Sequence, residues 1–218
     1  MTDVPESRVS TRSLVVPRHA RVGWIGDPAT ATEAWLVLHG YGMTARGILH
    51  WFRDASAPHR VLVAPEGLSR FYQERHGIRT VGASWMTSDD RENEILDQRT
   101  YLNAVADAWL AGRNRIELHG FSQGVSTACR WLVAGNRAVD RLVGWAGVIP
   151  PDLELEPLGA RSGSGPIQLV VGARDSLVSP AQVAADRDRL EAAGIAAQLH
   201  QHDGGHGIDP AVLTALAG

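Results

Sequence analysis

The chain has 218 residues, with 21 Lys+Arg against 24 Asp+Glu and a formal net charge of −3. Hydrophobic residues make up 44% and charged residues 21%, a globular balance that excludes a disordered or fibrous chain. The slightly acidic charge argues against nucleic acid as a partner, because counterion release needs a basic face. A single Cys excludes a disulfide framework and an iron–sulfur site. The chain has no lysine, so all 21 positive residues are arginine, and Schiff-base chemistry and a P-loop phosphate lysine are excluded with it. The start, MTDVPESRVSTR, is polar, and no apolar run reaches the length of a bilayer span. No integral membrane association is expected, and cytoplasmic is the expected location.

Apolar runs alternate with helical patterns along the chain. RSLVV (12–16) and ARVGWI (20–25) read as two short strands, a hairpin on the sheet edge. AWLVL (34–38) is an apolar strand ending in HGYG. Residues 44–54 have helical spacing, with Ile48, Leu49 and Phe52 on one side. RVLVAP (60–65) is a buried strand halted by Pro65. Residues 66–88 show no clean period and read as a long loop, which inside a compact domain is often functional. Residues 90–111 give the clearest helix, with Asp89 and Glu92 as a capping signal and a stripe at Ile95, Leu102, Val105, Trp109 and Leu110. RIELHG (115–120) is a strand, and 123–134 a helix stopping near Gly135. LVGWAGVI (142–149) is a strand ended by two prolines, and the Pro/Gly/Ser-rich segment 150–165 reads as a loop. IQLVVG (167–172) is a strand, a helix opens at Ser179 and Pro180, IAAQLHQH (195–202) is the last strand, and Asp209-Pro210 opens a short helix. Near-continuous apolar strands alternating with helices mean a mostly parallel sheet covered on both faces. With no repeat or linker, residues 1–218 read as a single α/β domain.

The sharpest local signal is Gly120-Phe121-Ser122-Gln123-Gly124, between a predicted strand and a predicted helix. That context would put Ser122 on a strained turn with its hydroxyl above the carboxyl edge of the sheet. A serine hydroxyl is a weak nucleophile and needs a base. His206, in the glycine-rich loop after the last strand, is the best candidate. His39 and His119 sit at strand ends beside glycine and read as structural; His19, His50, His59 and His76 lie before the elbow or in loops. The orienting acid should follow a strand between Ser122 and His206, and Asp175 fits, directly after IQLVV. Asp140 and Asp152 do not follow a strand end on the right edge, and Asp203 and Asp209 flank His206 too closely. Acyl transfer also needs two N–H donors for the oxyanion. Gln123 would supply one, and Tyr41 in the early HGYG loop the other.

These residues resemble the α/β-hydrolase superfamily, and within it the phospholipase/carboxylesterase and dienelactone-hydrolase-like group that includes acyl-protein thioesterases. The matching pieces are LHGYG (38–42), GFSQG (120–124), VVGARDSLVSP (170–180) and GGHGID (204–209), over residues 34–218. The resemblance implies the α/β-hydrolase fold, Ser122 as nucleophile, Asp175 as acid, His206 as base, and Tyr41 and Gln123 as oxyanion donors. The chain departs from the pattern at 66–88, and at 150–165, where a helix is expected and a loop is read.

The expected pocket lining is Phe71, Tyr72, Trp85, Met86, Ile149, Val178 and Ile208, with Trp85 and Met86 equally readable as core. A chain this short leaves no room for a large lid. The expected function is a serine hydrolase acting on small-molecule carboxylic esters with small or short to medium acyl groups. Lysophospholipase or acyl thioesterase activity is the alternative, and a hydrolase-fold binder without turnover is the rival from another class. No cofactor and no metal are expected, since His200, His202 and His206 lack a full ligand set. Cys129 reads as a small buried hydrophobe. A homodimer is compatible with the sequence.

Overall fold

The computed structural model describes residues 10–75, 77–135 and 137–218. In chain order the elements are β1 (Val22–Ile25), β2 (Glu33–Leu38), α1 (Ala45–Phe52), β3 (Arg60–Pro65), β4 (Ser69–Arg75), β5 (Ile78–Ser84), α2 (Arg91–Trp109) and β6 (Arg115–Phe121). They continue with α3 (Gln123–Ala134), β7 (Arg141–Trp145), α4 (Leu155–Arg161), β8 (Ile167–Gly172), α5 (Pro180–Ala192), β9 (Ala197–His202) and α6 (Pro210–Ala217). Seven strands form one sheet in the order β1-β3-β2-β6-β7-β8-β9. β1 pairs antiparallel with β3, and every other pairing in that sheet is parallel. This is the α/β-hydrolase fold.

The near-continuous apolar strands follow from burial on both faces. In β2, Ala34, Leu36 and Leu38 enter one core with side chains of α2, α3 and α5, while Trp35 and Val37 enter a second core with α1 and α6. The alternation of a strand sorts consecutive residues into two cores, so both sets must be apolar. Among the described residues no helix is long and apolar enough to cross a membrane.

Five readings change. Only Val22–Ile25 of the expected edge hairpin forms a strand. β1 pairs with β3 instead, and 12–16 lies exposed, with Val15 at 99%, along a groove of about 760 Å3 beside α2. Ser13 donates to Asp90 there, and Pro17 has no amide to offer a partner strand. Segment 66–88 is a hairpin, β4 against β5, paired from Ser69↔Ser84 to Arg75↔Ile78. Its outer face is solvated, so no apolar run marks it. Segment 150–165 holds the seven-residue helix α4, whose Pro157 and Gly159 conceal the helical signal although Leu158 is fully buried. β7 stops at Trp145, where Ala146 turns to φ 46° and carries the chain off the sheet. The cap of α2 falls one residue later than expected, on Asp90, which is left-handed and whose side chain makes no cap bond.

Candidate active site

β6 ends at Phe121 and α3 begins at Gln123, so a single residue turns strand into helix. That residue, Ser122, has φ 52° and ψ −117°, a conformation that is strained for any side chain with a Cβ. Its surroundings hold it there. The Ser122 amide donates to the Trp145 carbonyl at 2.8 Å, and the Val125 amide donates to the Ser122 carbonyl at 3.0 Å. A Cβ on Gly124 would stand 2.2 Å from the Leu38 oxygen, so only glycine lets α3 settle onto the end of β2.

Asp175 and His206 meet at the end of β8. His206 Nδ1 lies 2.8 Å from Asp175 Oδ2. The other carboxylate oxygen accepts the Leu177 and Val178 amides, both at 2.9 Å. Burial pushes the Asp175 pKa up, but the Val178 and Leu177 amides and His206 outweigh it and hold the carboxyl below its usual value. The glycine loop carrying His206 is fixed to the same strand end, with Ala173 donating to the His202 carbonyl and Arg174 to that of Gly204. With Nδ1 on the carboxylate, Nε2 is the nitrogen left for proton exchange. The imidazole packs 5.0 Å from the ring of Phe121, the residue before Ser122. Among the described residues Ser122 Oγ makes no hydrogen bond. The competing acids are engaged elsewhere: Asp140 accepts the Ile116 amide, Asp152 binds Arg91 and Arg130, and Asp209 caps α6.

The third component is the turn after β2. His39 is fully buried. The Gly67 amide donates to its Nε2 at 2.9 Å, so Nδ1 carries the proton and donates to the Gly40 carbonyl at 2.8 Å. Burial lowers the His39 pKa to about 4 against the opposing effect of the Gly40 bond, which keeps the ring neutral. The Met43 amide closes the turn onto the same carbonyl at 3.1 Å, with Gly42 at φ 72° in the position a type II turn reserves for glycine. A Cβ on Gly40 would stand 3.1 Å from Ser122 Cβ, so this turn lies against the elbow. Among the described residues neither the Tyr41 nor the Gln123 amide has a hydrogen-bond acceptor.

A strained serine elbow, a buried carboxylate bonded to a half-buried imidazole and an early glycine turn beside the serine are thus placed at one edge of the sheet. The phospholipase/carboxylesterase family model matches residues 23–217. The chain belongs to that family. Three similar solved structures share the fold. Esterase PE8 is 22% identical with TM-score 0.69, over 91% of this chain and 96% of that one. Acyl-protein thioesterase 2 from Zea mays is 18% identical with TM-score 0.67, over 91% and 96%. A phospholipase/carboxylesterase from Dyadobacter fermentans is 17% identical with TM-score 0.68, over 93% and 97%. Among curated proteins no match is found.

In this family member the expected pocket lining divides. Trp85 and Ile149 are each 2% exposed and belong to the core. Trp85 is drawn inward because its indole Nε1 donates to the His39 carbonyl, and Ile149 because its amide donates to the buried Asp186 carboxylate. Phe71 is half-buried and stacks on Tyr41 at 5.1 Å. Tyr72, the next residue along β4, points the other way and is 68% exposed beneath the Arg79 guanidinium. Met86, Val178 and Ile208 are half-buried. Val178 packs against one core and Ile208 against the other.

Two side chains have roles outside the sequence reading, which used only the Gln123 amide. The Gln123 side chain accepts from the Trp85 amide at 3.0 Å and donates to the Met86 carbonyl at 2.7 Å, tying the end of β5 to the start of α3. Gln73 donates to the Gly42 carbonyl at 2.6 Å. Pairing β4 with β5 across Gly77 is the signal that would have found the second. Among the described residues no three His, Cys, Asp or Glu side chains gather as a metal site. His200 bonds Gln168, and His202 accepts the Gly204 amide. His76 lies outside the described residues. Cys129 is buried, and burial pushes its thiol up to about 12.

Proposed function

We propose that this chain is a serine hydrolase cleaving carboxylic esters with small to medium acyl groups through an acyl-enzyme. The His206–Asp175 pair, packed on the ring of Phe121 just before the strained Ser122, is the observation that carries the reading. His206 Nε2 removes the Ser122 proton as Oγ attacks the ester carbonyl. The buried Asp175 holds the imidazole tautomer and stabilises the imidazolium. The Tyr41 and Gln123 amides donate to the oxyanion. His206 then returns the proton to the departing alcohol, and it activates the water that releases the acid. Every step uses side chains and amides of this chain.

The test is a panel of p-nitrophenyl esters of rising acyl length together with a fluorophosphonate probe. Wild type is expected to turn over the shorter esters and to be labelled on Ser122, while Ser122→Ala does neither. An unlabelled, inactive wild type would instead favour a ligand-binding protein on the same fold.

A further inference from the structure

The β4/β5 hairpin stands over the turn that carries Tyr41. Three hydrogen bonds among the described residues join them, beside the stacking of Phe71 on Tyr41. The Gly42 amide donates to the Ala83 carbonyl at 2.8 Å, and the Ala83 amide returns the bond to Met43 at 2.9 Å. Gln73, on the opposite strand, reaches across with its side-chain amide to the Gly42 carbonyl at 2.6 Å. Gly82 makes this approach feasible, because a Cβ there would stand 2.7 Å from the Gly42 oxygen and 2.8 Å from its Cα. Both polar ends of residue 42 are therefore held by the hairpin, while His39 and Met43 hold the Gly40 carbonyl from below. The Tyr41 amide lies between these fixed points. An oxyanion donor contributes only when it is aimed before the charge develops, since reorienting a peptide during the reaction adds to the barrier.

We infer that the β4/β5 hairpin is a clamp that sets the orientation of the Tyr41 peptide, with Gln73 as its positioning residue. The inference rests on the serine-hydrolase reading and deepens it. It gives segment 66–88 a role in rate as well as in the shape of the pocket. Gln73 touches no reacting atom in this scheme and acts through Gly42.

The experiment compares wild type, Gln73→Met, Gly82→Ala and Thr80→Val on p-nitrophenyl butyrate. Met keeps the length of Gln without a donor. Thr80 faces Gln73 across the hairpin, and its buried hydroxyl has no partner among the described residues, so Thr80→Val controls for disturbance of the hairpin itself. Gln73→Met is expected to lower kcat about tenfold or more with KM and thermal midpoint unchanged. Its inhibition by a trifluoromethyl ketone, which places an oxyanion in the same position, should weaken in parallel. Gly82→Ala should lower kcat further, and Thr80→Val should match wild type. A Gln73→Met enzyme with wild-type kcat, or one losing KM and stability together, overturns the clamp. So does an equal kcat loss in Thr80→Val. Wild-type protein that neither reacts with a fluorophosphonate nor hydrolyses the ester sinks the serine reading, and the clamp with it. An active, labelled wild type beside an unaffected Gln73→Met sinks the clamp alone.

Discussion

Asp175 divides its two oxygens between different tasks: Oδ2 bonds His206 Nδ1 at 2.8 Å, while Oδ1 takes both the Leu177 and Val178 amides. Two backbone donors aim the carboxylate before the imidazole is considered. The position is thus defined by the turn after β8 as much as by the histidine.

Asp175→Asn should keep the turn, since the amide oxygen can still accept the two backbone donors. Its NH2 would then face His206 Nδ1 and force the proton onto Nε2, leaving no base for Ser122. The expected loss in kcat is roughly 10⁴-fold, with the thermal midpoint little changed. A variant within tenfold of wild type would show that the pair does not serve proton transfer.

The positive φ of Ser122 predicts a split between stability and activity. Ser122→Ala and Ser122→Gly should both be inactive. Only glycine relieves the backbone strain, so Ser122→Gly should be more stable than Ser122→Ala by about 1 kcal/mol in urea denaturation. Equal midpoints would mean that the turn stores no strain.

His39 predicts an acid limb in stability. Its pKa is about 4 in the fold against 6.5 for a free imidazole. The unfolded chain therefore binds this proton first as pH falls. The stabilising contribution is present above about 6.5, is lost progressively as pH falls toward 4, and amounts to on the order of 3 kcal/mol across that window. His39→Gln can still accept from Gly67 and donate to Gly40 but does not titrate. Urea midpoints taken from pH 7 to pH 4 should fall less steeply in this variant than in wild type.

Trp85 and Phe71 separate core from pocket. Trp85→Phe removes the indole bond to the His39 carbonyl and should cost about 1 to 2 kcal/mol of stability while leaving the acyl-length profile unchanged. Phe71→Ala, which strips the half-buried partner of Tyr41, should shift that profile with little loss of stability. The reverse pattern would return Trp85 to the substrate wall.

The sheet and its order of elements were legible because strands buried on both faces leave unbroken apolar runs, and because the GFSQG glycines are demanded by close packing of α3 on β2. The segments that were misread lack these forces. The hairpin shows one face to solvent and carries Arg, Gln and Glu among its aromatics, so its pairing is written in hydrogen bonds rather than hydrophobicity. The apolar Leu14-Val15-Val16 looks like a strand, but it lies exposed along the groove beside α2 and enters neither core. Ile149 reads as pocket lining from its nearness to the sheet's carboxyl edge, and Trp85 reads equally as pocket or core; both lie in the core. What decides their placement is a polar contact behind them, the His39 carbonyl for one and Asp186 for the other. Such contacts leave no trace in the composition of their own segments.

The alternation within β4 and β5 gives the hairpin a parity. Phe71, Gln73, Thr80 and Gly82 face inward, half-buried or buried, while Tyr72, Arg79 and Val81 face water. Removing one residue between Ser69 and Phe71 would exchange the two sets, sending the Gln73 amide outward and presenting Tyr72 to the turn. An even change of length would keep the faces but carry Gln73 along the strand away from Gly42, whereas the outward set can change without touching the turn.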